Sequence, residues 1–522
     1  MRGEKITYTS AFADEGVHIA YENALARVEG GLGEVHPVWI DGKAIVAGDA
    51  FDVWSPIDRG IRIGRFQKGD ATLAQHALKR LHRGFHGWQR TDWKERLSAI
   101  ESSADLFWRD RFELSALLTL EVGKTRTEAL AEVAEAVDML RYYCRIYERE
   151  EAFIRPLASD MPGEVPISLL RPYGAWAVIS PFNFPIALMA GMAGAALLTG
   201  NTVLLKPTSV APLSGLKVYE SFVRAGIPPE ALSFFTGPGE AFGEAVVSMD
   251  ELAGIAFTGS RAAGMWLYRR IAERLRHPRP IVLEMGSKNP CIVTASADMD
   301  AAMEGVVRGA FGFGGQKCSA TSRVYVQEEI AAEFLAGLVQ MTNALRVGDP
   351  RKRDTFMGPL IDQRALAVLH NAVTEAESAG GEIAAGGKVL AHGEFGNGYY
   401  AEPTVVIHLP RGHRLFREEL FVPFLIVDTF ETIEEAVKEA NDTDYGLTAG
   451  IFSRKEAELE YFFREIEFGV CYSNRRGGAT TGAWPGAQPF GGWKGSGSTG
   501  KGVGGPYYLY SFVREQSQTR CG

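Results

Sequence analysis

The residues best suited to covalent chemistry lie in one run, Gly309-Ala-Phe-Gly-Phe-Gly-Gly-Gln-Lys317-Cys318-Ser319-Ala-Thr-Ser-Arg323, followed by a strand-like Val324-Tyr-Val326. A thiol reached through flexible glycines, with Lys317 beside it, can be partly exposed and biased toward thiolate, the form that attacks an electrophilic carbon. Free cysteines also pack as small apolar side chains, and on this run alone both readings of Cys318 stand. A second set of residues has the character of a phosphate cradle. Lys206-Pro-Thr-Ser209 and Thr258-Gly259-Ser260 follow apolar runs, where a hydroxyl and a glycine at a helix start can meet a pyrophosphate. Thr236-Gly237-Pro-Gly239-Glu-Ala-Phe-Gly243 sits in a similar place but is not GxGxxG, so a plain strand-to-helix turn fits it equally well.

Composition narrows what these residues could serve. The chain has 522 residues, 46% hydrophobic and 23% charged, which is globular and too long for one core. Its net charge of -9 and the lack of any long Lys/Arg block exclude a nucleic-acid partner. The five cysteines, Cys144, Cys291, Cys318, Cys471 and Cys521, are scattered and odd in number, with no CxxC. That pattern predicts neither a disulfide framework nor a metal site, and points to a reducing compartment. The amino terminus has no apolar h-region, so a cytoplasmic protein is expected. Gly174 to Leu198 is apolar enough to raise a membrane span, but Pro181, Asn183 and Pro185 break it into a strand and a helix, and no membrane partner is expected.

The elements that must position these residues follow from periodicity. Residues 1 to about 45 read as a mixed arm ending in the strand Val38-Trp-Ile40 and a turn. Apolar spacings of three and four predict helices from Thr72 to Tyr147, interrupted at Glu121-Val-Gly-Lys124. Buried strands then alternate with helices: Ala175–Ser180, Thr202–Leu205, Leu232–Phe235 and Gly254–Phe257, with helices Pro212–Ala225 and Ala241–Met249. Apolar strands joined by helices are the mark of a parallel sheet covered on both faces. A second α/β run extends from Pro280 through Leu425–Val427 to helix Ile433–Asn441, and includes helices Met299–Ala310, Glu328–Leu345 and Gln363–Glu377. Arg475 to Gly505, rich in glycine, reads as an ordered loop lying over something else. Tyr507 to Val513 is predicted to be an edge strand that pairs with another subunit.

Seven segments in order resemble the successive signatures of the aldehyde dehydrogenase superfamily: Ser180-Pro-Phe-Asn183-Phe-Pro185, Lys206-Pro207, Phe257-Thr-Gly-Ser260, Leu283-Glu284-Met-Gly286, Gly315-Gln-Lys-Cys318, Glu418-Glu419-Leu-Phe421 and Pro489-Phe-Gly-Gly492. The resemblance implies two doubly wound α/β domains and a small β oligomerisation element. A discontinuous NAD(P)-binding domain would take residues 1–154 and 173–286, and a catalytic domain 287–485. Residues 155–172 and 505–517 would form oligomerisation strands, and 486–504 a glycine-rich loop. It implies Cys318 as the nucleophile and Glu284 as the base, with Asn183 as an oxyanion donor beside the Cys318 backbone N–H. Ser180, Lys206, Ser209, Gly237, Ser260, Glu419 and Phe421 would hold the cofactor. Ser209 stands where NAD-preferring members often carry an acid, and Val422 replaces a usual glycine, so NADP stays open beside NAD.

These roles make chemical sense. A thiolate adding to an aldehyde creates an oxyanion that needs preorganised donors. The thioester left after hydride loss needs a base to activate water, and burial of Glu284 would raise its pKa into a useful range. Within the superfamily, the cysteine loop, the Thr481-Gly482-Ala483 to Gly492 segment and the Ser496 to Tyr508 tail resemble the 1-pyrroline-5-carboxylate dehydrogenases. That implies an aldehyde bearing an α-amino carboxylate, held by Lys317, Ser319, Gly482 and Ala483, with Glu128 near the amine. Trp484-Pro485 is bulkier than that group's pattern and the Arg475 to Thr480 approach is longer. A different carboxylated semialdehyde, or an aromatic aldehyde stacked on Trp484, is the alternative, and a non-catalytic protein of the same fold the remoter one. A homo-oligomer, dimer or higher, is expected.

Overall fold

The computed structural model of the chain describes residues 14–46, 48–274, 276–479 and 484–522. Two seven-stranded sheets dominate it. In the first, the strands run in spatial order Ile281–Met285, Leu252–Gly259, Ala175–Ser180, Thr202–Pro207, Leu232–Phe234, Val38–Ile40, Lys43–Ile45. The first five are parallel, and the hairpin Val38–Ile45 is appended antiparallel. The chain starts in the middle at Ala175–Ser180, grows one way, then jumps back to the other side with Leu252–Gly259. That reversal is the switch point at which open α/β sheets leave a crevice beyond the strand ends, and Asn183 and Ser260 follow the two strands that flank it.

The apolar stretch that could have suggested a membrane is the inside of this layer. Helix Ala187–Leu198 is buried on every side except Leu188, because it is sandwiched against helix Arg126–Arg149. Its glycines make that contact possible: a Cβ at Gly191 would lie 2.8 Å from Met139 Sδ, and one at Gly194 would collide with Leu140. Among the described residues no helix is long and apolar enough to cross a membrane.

The second sheet runs Glu382–Ala385, Thr404–Ile407, Phe424–Phe430, Thr321–Gln327, Asn289–Val293, Thr448–Phe452, Val470–Ser473, parallel except for the first strand. Only Gly286, Ser287 and Lys288 separate Met285, at the carboxyl end of the first sheet's outer strand, from Asn289, at the amino end of an inner strand of the second. The two sheets therefore present opposite edges to the same space.

A third, antiparallel sheet of three strands joins Val513–Cys521, Glu164–Pro172 and Ile154–Pro156, in register from Val513 opposite Pro172 to Cys521 opposite Glu164. Here the expectation of a strand over Tyr507 to Val513 is corrected. Tyr508–Phe512 is a 3-10 helix and the strand begins at Val513. Tyr508, Leu509 and Phe512 are buried, with Tyr508 stacked on Tyr143 at 5.6 Å and Phe512 tilted against Trp176 at 4.7 Å. Burying such side chains, at about 1.5–3 kcal/mol each, outweighs an exposed edge pairing. The amino-terminal arm contains a helix that the periodicity did not announce, Glu15–Gly30, started by Asp14 accepting from Gly16 N.

Candidate active site

The cysteine loop leaves helix Met299–Phe311 through Gly312–Gly315, where Phe313, Gly314 and Gly315 all take left-handed φ values of 51°, 62° and 67°. Glycine tolerates this freely; Phe313 does not, and the turn must be held by its surroundings. Asn289 holds the far side, its Nδ2 donating to the carbonyls of Cys318 at 2.7 Å and Ala320 at 2.8 Å. Cys318 is thereby fixed just ahead of strand Thr321–Gln327, partly buried, at the amino edge of the second sheet.

Lys317, beside it in sequence, pairs with another helix. Its ammonium is buried and bonded at 2.7 Å to Glu128 Oε1. Burial, then the carboxylates of Glu419 and Glu284, push the Cys318 thiol well above its ordinary pKa. The Lys317 charge expected to bias the thiol is shared with Glu128, which it meets directly.

Glu284 lies on the last strand of the first sheet, 7% exposed, and accepts from Gly492 N at 3.1 Å. Burial raises its carboxyl well above the usual carboxylate range, and the single N–H only partly offsets this. The glycine-rich tail supplies that N–H and locks the strand, with Met285 N donating to Ser496 O and Ser496 Oγ to Gly286 O. Asn183 is 2% exposed in the loop after Ser180.

The remaining residues expected at the cofactor divide between the same two edges. Ser180 Oγ is buried and has no hydrogen-bond partner among the described residues. Lys206 is buried, donates to Pro207 O at 2.7 Å, and is lowered to about 8 by burial. Ser209 Oγ donates to Gly237 O at 3.1 Å, and Ser260 Oγ accepts from Ala263 N at 3.3 Å. Gly237 has φ 147°, and a Cβ there would lie 2.6 Å from Gly69 O. Glu419 accepts from Ser287 N at 2.8 Å and is raised to about 7 by burial. Gly286 lies so close to Glu419 that any side chain would collide with it. Phe421, at φ 59°, meets Phe182 edge-on at 5.8 Å. Ser287, Lys317, Glu419 and Phe421 line one cavity of about 20 Å³, room for a water.

On the side away from the first sheet, Ser319 is 1% exposed. Gly482 and Ala483 lie outside the described residues. Arg475 covers the Trp484 ring at 5.0 Å and donates to Gln488 Oε1 at 2.6 Å, so a guanidinium already occupies a face of the ring proposed for aromatic stacking. Among the described residues no cluster of three or more His, Cys, Asp or Glu side chains could hold a metal.

Three charged residues were missed by the sequence reading. Glu132 and Glu135 lie on the same helix as Glu128, spaced four and three apart; Glu132 is fully buried and Glu135 half-buried. Lys288 is fully buried, its Nζ has no hydrogen-bond partner, and burial lowers it to about 7. The available signal was acidic residues at helical spacing on an alanine-rich helix.

Residues 39–517 match the model of the aldehyde dehydrogenase family. The chain belongs to that family. An aldehyde dehydrogenase relative named 1-pyrroline-5-carboxylate dehydrogenase, from Geobacillus sp. (strain WCH70), is 37% identical over 506 residues, 95% of each chain. Among solved structures, 1-pyrroline-5-carboxylate dehydrogenase from Thermus with bound NAD superposes with TM-score 0.94 at 34% identity, covering 100% of this chain and 99% of that one. Proline utilization A from Bdellovibrio bacteriovorus matches with TM-score 0.92 at 33% identity over 98% of this chain, which spans 52% of that longer protein. The fold is thus the aldehyde dehydrogenase α/β fold with its parallel sheets.

Proposed function

We propose that this aldehyde dehydrogenase oxidises L-glutamate 5-semialdehyde, the aldehyde in equilibrium with 1-pyrroline-5-carboxylate, to L-glutamate with NAD. The observation that carries the substrate is the buried Lys317–Glu128 pair next to the nucleophile, with both charges nearly sealed from solvent. An apolar aldehyde has no use for buried charge, which costs desolvation energy. A substrate with an ammonium and a carboxylate at its far end can draw on both partners. The Geobacillus relative's name, shared over 95% of both chains, supports the same reading.

The residues fit the cofactor. The unpartnered Ser180 Oγ, the Gly237 turn with no room for a Cβ, buried Lys206 and the carboxylate of Glu419 are the donors, acceptors and close-approach backbone that a dinucleotide uses. NAD, when bound, supplies the hydride acceptor. Cys318 Sγ bonds to the aldehyde carbon as its S–H bond breaks and the proton leaves through water to solvent, and its own backbone N–H and the Asn183 side chain hold the oxyanion until the hydride departs and the C=O bond re-forms. The sulfur is left in a thioester after hydride loss. Glu284, unpaired with any cation, accepts the proton of a water that adds to the thioester carbon, and the C–S bond breaks to release the carboxylate and the thiol.

We further propose a cytoplasmic homo-oligomer assembled through the third sheet. Large apolar side chains on its arm, Ile154, Leu157, Met161 and Val165, are 45–64% exposed, which an isolated subunit would leave in water.

NADH formation measured with 1-pyrroline-5-carboxylate, succinate semialdehyde, a long-chain aldehyde and benzaldehyde tests the substrate, with NADP run beside NAD. The highest kcat/KM is expected for 1-pyrroline-5-carboxylate, and Cys318→Ala should lower the rate by about 10³-fold or more. A clear lead for benzaldehyde or the long-chain aldehyde would discard the substrate and leave the family standing.

A further inference from the structure

One buried ion pair lies outside every role described so far. Lys124 and Glu132 are both fully buried, Nζ to Oε2 at 2.6 Å. Lys124 stands just ahead of helix Arg126–Arg149 and Glu132 on its second turn, so the pair closes over the helix start.

Each partner reaches one of the loops that carry the chemistry. Glu132 Oε1 accepts from Ile186 N at 2.9 Å and Ala187 N at 3.1 Å. These N–H groups open helix Ala187–Leu198, whose own N-cap residue, Ile186, offers no side-chain acceptor. Glu132 supplies from another helix the cap that the local sequence omits. Lys124 Nζ lies 3.6 Å from the centroid of the Phe184 ring and 5.1 Å from that of Phe313. Phe184 follows Asn183 directly. Phe313 is the non-glycine left-handed residue of the turn that presents Cys318. A single ammonium therefore touches the rings of both loops, and its counterion pins the helix into which the Asn183 loop runs.

A buried pair of this kind is poorly explained as a source of stability, since apolar residues of the same volume often serve as well or better. Its directed bonds are better explained by the precision that an oxyanion hole demands. We propose that Lys124 and Glu132 are positioning residues that set the Asn183 loop against the Cys318 loop, so that the Asn183 side-chain N–H and the Cys318 backbone N–H converge on one oxygen. The proposal rests on the roles given to Asn183 and Cys318 above.

The test is the rate of the first-turnover burst of NADH in the full-length enzyme, with NAD dissociation constants measured separately. Lys124→Met/Glu132→Gln, which removes both charges together, should slow the burst by about 10- to 100-fold, below or near the loss of one oxyanion donor, and leave NAD affinity within about threefold. In an Asn183→Ala background the same pair of changes should cost less than about twofold more, because the donor they position is already gone. A normal burst in the double variant, or a loss that multiplies fully with Asn183→Ala, overturns the proposal. A normal burst in Asn183→Ala alone instead overturns the oxyanion assignment beneath it. Should the double variant not fold, single changes decide: Lys124→Arg and Glu132→Gln, which keep the cation and the acceptor, should retain most of the burst rate that Lys124→Met and Glu132→Ala lose. Equal losses in the conservative and truncating variants count against positioning.

Discussion

Helix Arg126–Arg149 and the carboxyl edge of the first sheet both bring buried glutamates toward Cys318, and they treat them in opposite ways. On the helix, Glu128 and Glu132 each meet a lysine, Lys317 and Lys124, at 2.7 and 2.6 Å. Glu284 at the sheet edge, and Glu419 in the loop ahead of strand Phe424–Phe430 of the second sheet, accept one backbone N–H each, from Gly492 and Ser287, and burial raises both. A carboxylate neutralised by a lysine holds its charge and fixes geometry. One bonded only by a backbone N–H, with no lysine in hydrogen-bond contact, is made a weaker acid by burial. On the roles proposed above, Glu128 and Glu132 are recognition and positioning groups on one flank of the thiol and Glu284 is the proton-transfer group on the other, with Glu419 kept for the cofactor.

The sharpest way to break that contrast is Glu284→Gln. If Glu284 is the proton-transfer member, steady-state turnover should fall by about 10²- to 10⁴-fold while a stoichiometric burst of NADH survives, because thioester formation precedes the step that needs the base. Loss of the burst together with turnover would move Glu284 out of that role, and an unchanged steady state would remove it from the chemistry altogether.

Next in size is the paired side. Lys317→Met leaves Glu128 buried without its cation, and breaking a buried pair costs about 3–5 kcal/mol of stability. Lys317→Met/Glu128→Gln avoids the orphaned charge and isolates recognition. It should lower kcat/KM for 1-pyrroline-5-carboxylate by about 10- to 100-fold, the size of a lost charged hydrogen bond, and leave an uncharged aldehyde such as propanal nearly unaffected. An equal loss for both substrates would make the pair structural.

The unpaired side was the more legible in the sequence. Cys318, Glu284 and Asn183 sit in short local signatures, at the ends of apolar strands, and the fold class followed from the alternation of such strands with helices. The pairings were not legible. Glu128 and Lys317 are 189 positions apart, and Glu132, on a helix rich in charge, looks like part of a solvated face until tertiary packing covers it. The same failing explains the tail: Tyr508, Leu509 and Phe512 suit a strand or a helical turn equally, and only the aromatic pocket of Tyr143 and Trp176 decides. Adjacency in sequence pointed Lys317 at the thiol, and its pairing with Glu128 on another helix came only with the fold.

A smaller effect separates charge pairing from burial itself. Glu121, at the end of helix Arg111–Val122, is fully buried, has no lysine, and caps helix Pro212–Arg224 through Leu213 N at 2.7 Å and Ser214 N at 2.8 Å. It does for the helix following Lys206 what Glu132 does for the helix following Asn183. Burial raises it from 4.5 to about 7. A carboxyl that holds its proton more tightly in the folded state than in the unfolded chain contributes stability that is fully present below pH 4.5 and is lost as pH rises through about 7. At about 1.4 kcal/mol per unit, this share amounts to at most about 3 kcal/mol, and solvent relaxation leaves on the order of 2 kcal/mol. Thermal unfolding of wild type and Glu121→Gln between pH 4 and pH 8 should therefore show the variant with a flatter profile, relatively weaker at the acid end and gaining on wild type toward neutrality. Parallel profiles would mean that Glu121 keeps its charge through the two N–H bonds and the Ser214 hydroxyl, and that the absence of a lysine does not by itself mark the glutamates that exchange protons.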